Sequence, residues 1–164
     1  MRKSNHFVGI YNIDELNRNK DYYDGVLISR ISEVEYLKEI LTEIFNESVD
    51  KKSICIIGES GSGKSTIINY LGNNLLDIDV INCTDRYKDL SRYLEKKFNI
   101  EILDEIKTKI ENSNRKKLFI FDQFERFFYL SYEKQKELKE IIFNRLNLKN
   151  VAKIFPPVRL DFSK

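Results

Sequence analysis

The sequence is short of residues that staple or ligate. It has two cysteines and one histidine. Cys55 and Cys83 each lie in a short apolar run that reads as a strand, without the spacing of a disulfide framework or a CxxC metal site. Both are expected to be buried, reduced thiols. His6 alone cannot build a zinc site and is assigned no role. Long hydrophobic runs are missing too. The opening MRKSNHFVGIYNIDELN holds no apolar stretch for a signal peptide, and no segment approaches the roughly 20 apolar residues of a membrane helix. The chain therefore reads as soluble and cytoplasmic, with no membrane partner. An excess of one charge is also missing. Against 28 basic residues stand 26 acidic ones, a net charge of +2, which gives no electrostatic case for a nucleic acid. Repeats and low-complexity linkers are absent, and 164 residues fit one domain.

What is present is a core and a charged surface. Hydrophobic residues make up 41% of the chain, enough to bury a core, and charged residues 33%. Residues 1–26 are polar with scattered aromatics and read as an N-terminal arm; residues 27–164 read as the core domain. Ser32 and Glu35 have the spacing of a capping box. Val34, Leu37, Ile40, Leu41 and Ile44 then recur at helical spacing, predicting a helix over 32–46. Strands are expected at 53–57, 78–84, 117–122 and 152–162, and helices at 64–76, 87–98, 101–111 and 132–148. The run KLFIFD is apolar up to its last residue, as a strand covered on both faces should be. Strands alternating with helices imply an α/β fold with a parallel sheet.

The stretch CIIGESGSGKSTII carries the chemistry. Gly58, Glu59, Ser60, Gly61, Ser62, Gly63, Lys64 and Ser65 fit G-x-x-x-x-G-K-S/T, the phosphate-binding P-loop or Walker A pattern. The glycines let the backbone curl so that its N–H groups point at phosphate oxygens. A helix starting near Lys64 adds the positive end of its dipole. Lys64 is expected on the β- and γ-phosphates, Ser65 on Mg²⁺, and Thr66 at the α-phosphate end. A strand before the loop and a helix after it supply the required context. No G-x-G-x-x-G can be laid over residues 58–66, so a Rossmann site is excluded.

Such a loop needs an acid at a neighbouring strand end, and LFIFDQFER supplies Asp122, the Walker B arrangement. Glu125, three residues on, is the candidate to polarise the attacking water or to assist Asp122 at the metal. Phe124, Phe127, Phe128, Tyr129 and Tyr132 are expected to pack against the sheet. Arg126 reads as a surface charge.

Together these segments resemble the STAND class of P-loop NTPases, a branch of the AAA+ group of nucleotide-controlled signalling and defence proteins. LISRISE (27–33) is similar to the family's motif before the first helix, with Arg30 and Glu33 matching and Ser29 replacing a glycine. FDQFER is similar to its Asp-Gln-Phe-Glu form of Walker B. VRLDF (158–162) resembles its sensor 1 region. The resemblance implies a three-layer P-loop fold, a mostly parallel sheet flanked by helices. It implies a nucleotide site closed by Arg30 near the adenine, and Arg159 as γ-phosphate sensor. The fourth strand is central in this class, yet Pro156 and Pro157 would remove ladder donors there. Either that strand starts at Val158 or the sensor assignment shifts. The family's helical lid and later regions are expected to be missing, leaving an NTPase core.

The leading expectation is therefore an ATP- and Mg²⁺-binding domain that hydrolyses ATP, with Lys64, Glu125 and Arg159 at the reaction and Ser65 and Asp122 at the metal. The alternative is a nucleotide-binding switch with negligible turnover. A phosphotransferase would need a basic lid after Lys116, which is absent. Guanine recognition would need Asn-Lys-x-Asp after the loop, and the only similar run, at residues 19–21, precedes it. The resemblance also implies homo-oligomers or effector and sensor proteins as partners.

Overall fold

The computed structural model describes residues 31–46, 52–57, 63–75 and 77–155. In chain order these form α1 (Ile31–Phe45), β1 (Ser53–Cys55), α2 (Lys64–Asn74), β2 (Ile78–Asn82), α3 (Leu90–Phe98), a 3-10 turn (Leu103–Glu105), α4 (Ile106–Glu111), β3 (Lys116–Ile120), a second 3-10 segment (Phe124–Tyr129), α5 (Tyr132–Lys139), a π-helical segment (Glu140–Arg145) and β4 (Val151–Phe155). The expected α/β class is observed. Four strands form one all-parallel sheet in the order β1-β4-β3-β2.

The sheet separates two apolar clusters, and alternation along β3 and β4 explains both. Leu118, Ile120, Ala152 and Ile154 point to one face, where α1 and α2 cover them with Val34, Leu37, Leu41, Ile67, Ile68 and Leu71. Phe119, Phe121 and Val151 point to the other face, packed by Leu94, Ile106, Ile110, Leu138 and Ile142. A strand read as apolar throughout is thus buried from both sides.

Several boundaries differ from expectation. β4 is described from Val151 to Phe155, so the strand does not start at Val158, and the expected continuation through Pro156 and Pro157 lies outside the described residues. Its ladder needs no proline donor: Phe121 N donates to Ile154 O (2.9 Å) and Ile56 N to Phe155 O (3.0 Å). The capping box does not form. Ser32 lies inside α1, its hydroxyl donates to Glu33, and Glu35 pairs with Lys38. Cys83 is buried as expected and Cys55 is exposed. Ser53 and Cys55 share the uncovered side of β1, the outermost strand next to β4 among the described residues. Of the five aromatics expected to pack, Phe127 is buried and Phe124 lies against the core, whereas Phe128, Tyr129 and Tyr132 are exposed.

The helix expected over 132–148 changes geometry after Lys139. From Glu140 it is π-helical, with Leu146 N donating to Ile141 O (2.9 Å). Lys153 explains where displaced carbonyls find a partner. It sits on central β4 with 2% of its surface exposed. Its ammonium donates to Ile142 O (3.2 Å) and Leu146 O (3.3 Å), placing a cation at a helix C-terminus, where the dipole favours it. Burial, and then the nearby charge of Lys52, pull its pKa down from the usual lysine range to about 8. Between pH 8 and 10 the unfolded chain keeps this proton and the folded chain sheds it, so folding gains stability as pH rises through that window. The urea midpoint of the native chain should rise relative to that of Lys153→Met between pH 8 and 10. Parallel pH profiles for the two chains would contradict this.

Candidate functional site

All four strands are parallel, so their carboxyl ends meet at one edge, the usual place for ligands in open α/β sheets. The glycine-rich loop leaves β1 at this edge. Its described end begins at Gly63, whose φ of +82° is a left-handed conformation that glycine adopts without strain. Gly63 accepts the first helical bond, from Ile67 N (3.0 Å). The N-cap residue, Gly63, has no side chain to cap α2, and the N–H groups of the first turn are directed out of the helix end. Lys64, half-buried, and Ser65, exposed, are the first two residues of that turn.

Asp122 lies at the same edge, two residues past β3. Ser65 Oγ donates to Asp122 Oδ2 at 2.7 Å, joining positions 57 residues apart. The other carboxylate oxygen, Oδ1, accepts from Gln123 N (2.9 Å). Gln123 takes a left-handed φ of +57° and turns the chain from the strand end into the 3-10 segment. The Asp122 carbonyl accepts from the Tyr87 hydroxyl at 2.6 Å. Asp122 is therefore fixed through both carboxylate oxygens and its main chain. A hydroxyl and a carboxylate in contact are hard oxygen donors of the kind that suits Mg²⁺.

Tyr87 is buried, with its ring edge-on to Phe124 (5.9 Å). Burial pushes its phenol pKa up, and Cys83, Asp122 and Glu125 raise it further. It stays a protonated donor at any pH near neutrality. Glu125 sits in the 3-10 segment, and its Oε2 is buried without a hydrogen-bond partner. Thr84 Oγ1, just after β2, is buried and unpartnered as well. Such oxygens normally find a protein or water partner, so both are places where a polar group can be received. Arg126 does not stand free: it forms an ion pair with Asp85, another residue of positive φ.

Lys64, Ser65, Thr66, Gly63, Asp122 and Glu125 are thus placed, and contact is direct between Ser65 and Asp122. Gly58, Glu59, Ser60, Gly61, Ser62, Arg30 and Arg159 lie outside the described residues. Tyr87 and Thr84 were missed. Nothing in RYKDL marks a tyrosine as a partner for a carbonyl 35 residues downstream; a threonine straight after an apolar strand was the weaker signal for Thr84. Among the described residues no helix is long and apolar enough to cross a membrane. Compared with models of known protein families and with curated proteins, the chain matches none.

Proposed function

We propose that this chain binds ATP with Mg²⁺ at the carboxyl edge of the sheet and hydrolyses it, as the core of a signalling-type P-loop NTPase. The contact between Ser65 Oγ and Asp122 Oδ2 carries this reading. Separate sequence patterns point to Ser65 as hydroxyl ligand and to Asp122 as strand-end acid, and the two side chains meet. The strand order supports it further, because β4 lies between loop-bearing β1 and acid-bearing β3, and a central fourth strand is what the family resemblance implies.

In this reading Lys64 and the first-turn N–H groups of α2 hold the phosphate chain, combining a point charge with a helix dipole. Bound Mg²⁺ would be held through Ser65 and Asp122 and would neutralise phosphate charge. Tyr87 fixes the Asp122 main chain so that the carboxylate does not swing away. Glu125, with one carboxylate oxygen unpartnered, orients the attacking water, and its contribution is positioning and proton acceptance. Binding alone needs only the loop and Asp122; turnover needs Glu125 as well, which separates a hydrolase from a nucleotide-held switch.

Mg²⁺ dependence tests the metal assignment. Asp122→Asn keeps the shape of the site and its bond from Gln123 N but loses the charge. It should lower the Mg²⁺-dependent gain in ATP affinity by about 10–100-fold, the usual cost of disturbing a metal's protein shell, while ATP binding in excess chelator stays unchanged. An undiminished Mg²⁺ gain in the variant would sink the assignment.

A further inference from the structure

One groove bordered by described residues, about 790 Å³, is not confined to the strand ends. It runs along the open side of β2. Among the described strands, β2 pairs only with β3. Cys83 N donates to Ile120 O (2.8 Å), and strand N–H and C=O groups alternate in direction. Asp79 and Ile81 therefore face β3 with Cys83, and Val80 and Asn82 present their N–H and C=O groups outward. Five residues of strand give an edge of roughly 17 Å with no partner strand among the described residues.

This edge lies at the floor of a groove with a wall on each side. Gly72 of α2 stands on one side and offers no side chain; a Cβ there would come within 3.2 Å of Val80 Cγ1. The C-terminal end of α3, with Phe98, and α4 form the other side. A strand laid beside β2 would be covered from both faces, as the inner strands are. The charges of the groove are lopsided. Three lysines, Lys97, Lys109 and Lys117, line it against one acid, Asp79. Asp79 is already held by Lys117 and Arg115, each at 3.1 Å. Lys97 and Lys109 are exposed, and neither forms an ion pair with a described residue.

We propose that the β2 edge is a docking groove for an extended acidic segment of a partner protein, which adds a fifth strand beside β2. The unpaired backbone supplies the hydrogen bonds of strand addition. Val80, Ile78 and Phe98 receive apolar side chains of the segment, and Lys97 and Lys109 receive carboxylates. Charge also argues against a second copy of this chain, since edge-to-edge pairing would bring two sets of Lys97 and Lys109 together.

The test is fluorescence anisotropy with the full chain and a short fluorescein-labelled peptide of alternating glutamate and valine. Two variants probe separate features. Lys97→Glu with Lys109→Glu reverses the wall charge at exposed positions. Val80→Pro removes an outward donor and leaves the β3 ladder intact. Saturable, salt-sensitive binding is expected, weakened about tenfold by the charge reversal and lost in Val80→Pro. Four results would overturn the proposal. One is no binding to the intact chain. The second is binding indifferent to the charge reversal and to Val80→Pro. The third is tighter binding of a lysine–valine peptide or of labelled oligothymidine. The fourth is a dimer in sedimentation that Val80→Pro dissolves, which would make a second copy the occupant.

Discussion

Replacing Glu125 by glutamine should lower multiple-turnover phosphate release from ATP by about 10²–10⁴-fold, the usual contribution of a positioned general base. The substitution is nearly isosteric and keeps an oxygen where Oε2 lies buried without a partner, so the fold has no reason to change. What it removes is the negative charge and the ability to take a proton. Affinity for ATP should remain within a few-fold, because nothing in the reading places Glu125 on the phosphates. A split of this kind, with turnover lost and binding kept, is what a water-orienting carboxylate produces. Turnover unchanged in Glu125→Gln would assign the base elsewhere. Binding without measurable turnover in the native chain itself would make the domain a nucleotide-held switch.

The second large effect is expected at Lys64. Lys64→Ala should weaken ATP binding by about 100-fold, the loss of charge-assisted bonds worth about 3 kcal/mol. Lys64 opens α2 and is half-buried at the carboxyl edge, next to Ser65. Alanine is a good helix former, so α2 should persist and the thermal midpoint should shift little. Those two readouts together separate a lost ligand contact from a lost helix. A variant that binds ATP as the native chain does would remove the phosphate role from this lysine and the loop reading with it.

How far the site could be foreseen depended on whether a residue's role is local. Gly63, Lys64 and Ser65 belong to a contiguous pattern whose chemistry is written in its spacing. Asp122 ends an apolar run, and a charge at that point of a buried strand has few bland explanations. β1, β3 and α2 were placed within two residues at each end for the same reason. Tyr87 depends on the turn after β2 folding over the end of β3, which no local pattern records. Lys153 is equally non-local: it is buried against the carbonyls of Ile142 and Leu146 beside a π-helical turn, which no pattern around it records. The i and i+4 apolar spacing continues through the π-helical turn and predicts ordinary helix there. Cys55 looked like a core residue because the whole run around it is apolar. Strand neighbours determine burial, and β1 has a described neighbour only in β4. The expected fourth strand starts one residue late, at 152 against Val151, and its continuation past Phe155 lies outside the described residues.

Calorimetric titration of the purified chain with ATP, ADP and GTP in Mg²⁺, with Lys64→Ala as control, is the most direct measurement of the central claim. Saturable binding of ATP, preferred over GTP and weakened about 100-fold in the Lys64→Ala chain, is expected. Absence of ATP binding to the intact chain, or equal binding by the variant, would contradict it.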